Sequence, residues 1–200
     1  MKTAITGGIG SGKSYVCRLL KEQGIEIYDC DSAAKRLMRT SERLKEQLKA
    51  LVGDNVYIDG RLNKPVLAQF LLASEKNQKA VNAIVHPAVA DDFIASGMQW
   101  MECAILFESG FDRLVDRVVC VTAPHETRLR RIMQRDGITR EKAEEWINCQ
   151  MPQEETARRS DIVICNDGSP LMPQIATLFS KSPSPSPSLP RDRDQEKINH

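Results

Sequence analysis

The chain alternates short apolar runs with longer stretches in which apolar residues recur every three or four positions. Residues 3–6, 25–28, 103–107, 118–121 and 161–165 are brief, apolar and closed by polar or turn residues, the pattern of buried strands. Helical spacing marks 14–23, 43–52, 65–72, 76–84 and 127–135, with a shorter helix over 33–38. His86-Pro87 is read as the end of the helix that covers 78–85. Strands alternating with helices predict an α/β fold, a mostly parallel five-stranded sheet in a three-layer arrangement. Residues 32–102 or so read as all-helical and are too long for one crossover, so they are expected to form a helical insertion over one edge of the sheet. Asp59-Gly60 marks a tight turn inside it. No internal repeat is visible.

The end of the chain breaks this pattern. From Ser182 it reads Ser-Pro-Ser-Pro-Ser-Pro-Ser-Leu-Pro and then a charged run without apolar periodicity. Alternating proline removes backbone donors, so 181–200 is expected to be a disordered Ser/Pro-rich tail and 1–180 the folded domain. The tail carries four of the 28 basic and three of the 27 acidic residues, so the remainder is balanced in charge. That balance, with only ten Phe, Tyr and Trp, speaks against nucleic-acid binding. No apolar run approaches the ~20 residues of a membrane span, and the first apolar stretch runs straight into glycines rather than forming a leader peptide. The six cysteines form no C-x-x-C pair and fall mostly in apolar segments. They read as reduced thiols of a cytoplasmic protein, with Cys30 expected to be the most exposed. The expectation is a monomer without nucleic-acid or membrane partners.

Chemistry enters at Gly7-Gly8-Ile9-Gly10-Ser11-Gly12-Lys13-Ser14, which fits G-x-x-x-x-G-K-[ST] between a predicted strand and a predicted helix. Glycines let successive N–H groups turn toward dense negative charge, and the following helix start adds free donors and a favourable dipole. Lys13 has the reach for the β- and γ-phosphates of a nucleotide, and the Ser14 hydroxyl can ligate Mg²⁺. A chance match in a chain of this length is of order 1%. The pattern predicts a P-loop nucleoside triphosphatase fold that binds ATP with Mg²⁺. A guanine-reading N-K-x-D is missing: the one Asn-Lys pair, Asn63-Lys64, is followed by Pro65-Val66.

Two further groups point to phosphoryl transfer. Asp29 and Asp31 stand at a predicted strand end, where ligands of parallel sheets bind. A kinase needs a carboxylate there to take the proton of the attacking hydroxyl or to organise Mg²⁺. Spacing alone leaves that reading level with helix capping by Asp31 or Ser32. Glu108 is a second strand-end acid, equally open to a solvated role. Arg128, Arg131 and Arg135 fall on one helix face at spacings of three and four, the array a phosphoryl-transfer lid over 124–160 requires. The residues alone support a small-metabolite kinase, another nucleoside or nucleotide kinase, or a nucleotide-binding regulator without turnover.

Taken together, the residues resemble the dephospho-coenzyme A kinase family from Thr6 to about Gly168. The resemblance rests on the glycine loop, on Asp29-Cys30-Asp31, on Asp59-Gly60-Arg61-Leu62 with Leu67 and Phe70, and on Ile84-Val85-His86-Pro87. Leu106-Phe107-Glu108, the segment from Leu129 to Asp136, Gln150, and Ser160 through Asn166 complete it. It implies ATP-dependent phosphorylation of the 3′-hydroxyl of the ribose of dephospho-CoA, the last step of coenzyme A synthesis. It implies Asp31 as base, with Lys13 and Arg131 also catalytic. It places the nucleotide on Gly8, Gly10, Ser11, Gly12, Lys13, Ser14, Tyr15 and Arg135, with Ser14 on the metal. The acceptor falls to Asp31, His86, Pro87 and Glu108, under the helical insertion. The sequence departs from the family at Ala104 (usually Pro), Tyr15 (Thr), Lys35 (commonly Arg) and Thr156 (commonly Lys). Arg158 or Arg159 could stand in for the missing cation at Thr156.

Overall fold

A computed structural model describes residues 1–179; the predicted Ser/Pro-rich tail lies outside the described residues. In chain order the elements are β1 (Thr3–Thr6), α1 (Lys13–Glu22), β2 (Tyr28–Asp29), α2 (Cys30–Thr40), α3 (Glu42–Val52), β3 (Tyr57–Ile58), β4 (Arg61–Leu62), α4 (Lys64–Ala73) and α5 (Glu75–Ser96). There follow β5 (Trp100–Glu102), β6 (Arg117–Thr122), α6 (His125–Asp136), α7 (Arg140–Asn148), α8 (Gln153–Arg158), β7 (Ile162–Cys165) and α9 (Leu171–Ala176). The main sheet has the strand order β2-β5-β1-β6-β7. β1 pairs β6, and β6 pairs β7, both in parallel. The fold is therefore the expected α/β type. The chain divides into two compact units, one of residues 1–27 with 102 onward, the other Tyr28–Met101.

The first unit is built on strands buried from both sides. Ala4, Ile5, Val118, Val119, Cys120, Val121 and Ile164 are shut off from solvent. That is why these strands read as unbroken apolar runs instead of alternating ones. α1 buries Val16, Cys17 and Leu20 along one stripe. α6 and α7 share a separate cluster of Leu129, Ile132, Ala143 and Ile147, with Ile9 of the glycine loop packed against it.

The second unit is organised by α5. Val81, Val85, Val89 and Phe93 are buried at steps of four, a continuous ridge along one face. The Tyr28 ring lies 5.2 Å from Phe93. Ser74 accepts from Asn77 N–H at the helix start, and Gly97, with φ 69°, closes its end in the left-handed conformation.

Four expectations need correction. The helix does not stop at His86-Pro87; it runs to Ser96 with Pro87 inside. Proline removes only one N–H and here sits on the exposed side, while the buried ridge continues past it. The apolar run 103–107 is not a strand. Cys103 N–H donates to the Ile5 carbonyl at 3.0 Å, and then the chain turns, with Ser109 N–H on Ile105 and Phe111 N–H on Leu106. The strand lies earlier, at Trp100–Glu102. The segment 25–28 contributes only Tyr28–Asp29 to a strand, because Ile25 N–H still caps α1 at Leu20. The insertion is also not purely helical: Asp59 (φ 48°) and Gly60 (φ 73°), both left-handed, turn β3 into β4 as a hairpin.

The cysteines also depart from expectation. None of the six forms a disulfide, but Cys30 is buried, and Cys149 and Cys165 are the exposed ones. Cys30 begins α2 rather than lying in an open loop, so it points into the packing. Burial lifts the Cys120 thiol to about 12, and burial followed by the neighbouring Glu102 carboxylate pushes Cys17 higher still.

Candidate active site

The glycine loop leaves β1 at Thr6 and enters α1 at Lys13. Its outer side is fastened at many points within the first unit. Arg128 Nε donates to the Ile9 carbonyl (2.9 Å), and Ile9 N–H donates to Gln150 Oε1 (2.7 Å). Arg131 Nη1 donates to the carbonyls of Gly10 and Ser11, each at 3.2 Å. Asn166 Nδ2 donates to Ser11 O (2.9 Å) while Asn166 Oδ1 accepts from Arg131 Nη2 (3.2 Å). The loop's carbonyls are thus tied outward by side chains from α6 and from the segment after β7.

The inner donors are left open. Among the described residues, the N–H groups of Gly10, Gly12, Lys13 and Ser14 have no hydrogen-bond partner, and α1 has no side-chain cap. A helix start with free N–H groups and no capping oxygen binds anions. Gly10 and Gly12 are required by contact as well as by angle. Their φ values are 79° and 87°; a Cβ on Gly10 would sit 2.7 Å from the Arg128 carbonyl, and one on Gly12 would collide with the Asn166 amide.

Lys13 and Ser14 point to one carboxylate. Lys13 Nζ lies 2.6 Å and Ser14 Oγ 3.0 Å from Glu102 Oε1. Lys13 and Glu102 are both largely withdrawn from solvent, with side chains 13% and 14% exposed. Glu102 was not among the sequence candidates. The signal was the strand end: once the strand is placed at 100–102, Glu102 is the acid at its carboxyl end, the position assigned instead to Glu108.

The other predicted residues distribute as follows. Asp29 is the N-cap of α2, accepting from Ser32 N–H (3.0 Å) with one oxygen and from Ser32 Oγ (2.8 Å) with the other. The capping residue is thus Asp29, not Asp31 or Ser32. Asp31 follows in the first turn, exposed and without a hydrogen-bond partner among the described residues. Glu108 is exposed and accepts from Met151 N–H at 3.1 Å, holding the approach to α8. His86 is half-buried in the middle of α5, where burial lowers its pKa; Pro87 beside it is exposed. Tyr15 lies on the outside of α1 with Arg18 4.9 Å from its ring.

The three arginines do not form one open row. Arg128 is buried, its guanidinium spent on the loop backbone, and burial lowers its pKa. Arg131 is partly buried on the same backbone. Only Arg135 is free of the loop, pairing with Asp136 at 2.7 Å on the surface. A row on one helix face splits this way because the start of α6 packs against the loop and its end reaches solvent. Thr156 is buried in α8, its hydroxyl on Pro152 O. Neither nearby arginine is idle: Arg158 pairs with Glu155 (2.6 Å), and Arg159 lies 4.2 Å from the Phe107 ring.

A family model described as dephospho-CoA kinase matches residues 1–171. The chain is 42% identical to a dephospho-CoA kinase of Bacteroides fragilis, covering 90% of this chain and 92% of that one. It is 36% identical to one of Geobacillus kaustophilus, over 82% and 87%. A crystal structure of TT1252 from Thermus thermophilus superposes with a TM-score of 0.77 at 32% identity, covering 90% of this chain and 98% of that one. A dephospho-CoA kinase from Campylobacter jejuni, at 21% identity and a TM-score of 0.64, shares the fold over 90% and 96% of the two chains. A family model over most of the chain and relatives at this identity and coverage agree, and the chain belongs to the dephospho-CoA kinase family.

Proposed function

We propose that the protein transfers the γ-phosphoryl group of ATP to the 3′-hydroxyl of the ribose of dephospho-CoA, giving coenzyme A. The observation that carries this is the start of α1. Four N–H groups without a partner among the described residues, an uncapped helix and Lys13 form a cradle for the β- and γ-phosphates, within a chain of this family. Lys13 rests on Glu102, and an arriving phosphate offers it a second anion. Arg131 and Asn166 keep the loop carbonyls turned away, so the cradle presents donors and not acceptors to the incoming phosphate.

Asp31 is assigned the proton of the attacking 3′-hydroxyl. Its neighbour Asp29 has both oxygens committed to Ser32, whereas Asp31 is exposed and unpartnered among the described residues. A positioned carboxylate of this kind contributes about 10²–10⁴ in rate. His86 and Glu108 are assigned to the acceptor, and Arg135 and Tyr15 to the nucleotide side.

Mg²⁺ is proposed as the resident ion. The chemistry of the donors fits it: a hydroxyl at Ser14 and a carboxylate at Glu102, 3.0 Å apart, are hard oxygens. No set of three His, Cys, Asp or Glu suited to a metal exists among the described residues. Mg²⁺ needs no such cage, since it is held by one or two protein oxygens together with phosphates and water. When bound it neutralises charge on the transferring phosphate. The whole reading predicts ADP release that depends on dephospho-CoA, and Lys13→Ala should lower it by on the order of 10²–10³. The far-ultraviolet circular dichroism should stay that of the parent. Unchanged turnover in the variant would exclude the cradle.

A further inference from the structure

The exposed face of α2 carries charges that the phosphate cradle does not use. Asp31, Lys35 and Arg39 stand four residues apart, so they lie on one face with about 6 Å of axial rise at each step. All three are exposed. An acid four residues before a lysine is the favoured arrangement for an ion pair within a helix. Here the pair is not formed: among the described residues, the side chains of Asp31 and Lys35 make no hydrogen bond or ion pair. Elsewhere on the surface such charges do close on each other, as in Lys45–Glu42 (2.7 Å), Lys142–Glu145 (2.6 Å) and Arg158–Glu155 (2.6 Å).

The neighbouring cation is already spent. Arg36 Nη2 lies 2.5 Å from Asp92, which also accepts from the Tyr28 hydroxyl at 2.7 Å. That group ties α2 to α5 and fixes the helix. Arg39 is different. Its Nε donates back to the Lys35 carbonyl at 3.2 Å, which draws the guanidinium one turn toward the start of the helix. Arg39 has no carboxylate partner among the described residues, and α2 holds no acid besides Asp31. Two un-neutralised cations therefore gather about one turn beyond Asp31.

We propose that Lys35 and Arg39 form the seat of the acceptor's 5′-diphosphate. This rests on the reading of Asp31 as the base. Dephospho-CoA carries a 3′-hydroxyl and a 5′-diphosphate on one ribose, on opposite sides of the sugar, a span of the order of one helical turn, about 5.4 Å. An acceptor laid along α2 with its 3′-oxygen at Asp31 brings the diphosphate to Lys35 and Arg39. The reverse orientation would put the diphosphate against a carboxylate. The stripe of one acid followed by two cations thus sets the direction of the acceptor and selects ribosides that carry a 5′-diphosphate. A guanidinium and an ammonium together supply the donors such a group needs.

Steady-state kinetics of the full chain test this. Lys35→Met with Arg39→Met should raise KM for dephospho-CoA ~10–100-fold, the range for charge-assisted hydrogen bonds. KM for ATP should stay as in the parent, and kcat should fall far less than KM rises. KM for dephospho-CoA should also lose part of its dependence on salt. Lys35→Arg should restore most of the loss, which a structural defect in α2 would not allow. A KM for dephospho-CoA within twofold of the parent would overturn the proposal, as would a parallel rise in KM for ATP. Asp31→Asn, measured alongside, separates the two readings. If it keeps its kcat, the base is misassigned, while the KM response of the Lys35 and Arg39 variants still decides whether the seat exists.

Discussion

Two strand-to-helix turns in this protein begin alike and are finished in opposite ways. At β1→α1 the helix starts on a glycine with φ 87°, no side chain caps it, and its first N–H groups are unpartnered among the described residues. At β2→α2 the helix starts on Asp29, whose carboxylate takes the N–H and hydroxyl of Ser32. Capping of this kind stabilises a helix by about 0.5–2 kcal/mol. The first turn forgoes that stabilisation and is held instead from behind, by Arg128, Arg131, Gln150 and Asn166 acting on the loop. An open helix end supported from outside is a site for an anion. A closed helix end is a support, and the side chain exposed just past it, Asp31, is available for chemistry.

The sharpest way to break this contrast is to exchange the roles of the two acids. Asp31→Asn keeps shape but removes the base, and should lower kcat by about 10²–10⁴ with little change in ATP affinity. Asp29→Asn can still cap, so it should retain most of its kcat and its melting temperature. Asp29→Ala should cost about 0.5–2 kcal/mol of stability by urea denaturation. A loss of kcat confined to Asp29→Asn would reverse the assignment.

A smaller effect comes from the helix that packs behind the closed turn. Burial holds the His86 imidazole below its ordinary pKa of about 6.5. The folded state therefore keeps His86 neutral when the unfolded chain has begun to take up a proton. Stability is full above about pH 6.5 and is lost as pH falls from there through the lower folded value. Urea midpoints at pH 7.5 and 5.5 should differ less for His86→Gln than for the parent. If the midpoints of parent and variant moved together, burial of His86 would not be what couples this helix to pH. A rise in KM for dephospho-CoA in the same variant would add the acceptor contact assigned to this residue.

What could be read from the sequence follows from what is local. The glycine loop was legible because its geometry is set by φ angles and close approaches that only glycine meets, as at Gly10 and Gly12. The parallel strands were legible because burial on both faces writes them as apolar runs. The residues that failed to show are those set by tertiary packing. Glu102 was hidden because the apolar run after it looked like the strand, whereas that run buries Leu106 as a turn. The helix through Pro87 was hidden because proline usually ends a helix, whereas here the packing of the ridge Val81, Val85, Val89 and Phe93 carries the helix past it. The arginines of α6 shared a face on paper, but the loop packs against one end of that face. No periodicity distinguishes a guanidinium holding a carbonyl from one left for phosphate.

Phosphorus NMR of the product tests the central claim most directly. With ATP, Mg²⁺ and dephospho-CoA, the protein should produce ADP and a new phosphomonoester resonance coupled to the ribose 3′-proton, in equal amounts, and Lys13→Ala should produce neither at a comparable rate. Release of inorganic phosphate in place of that resonance, or a phosphomonoester at another position of the acceptor, would contradict the account.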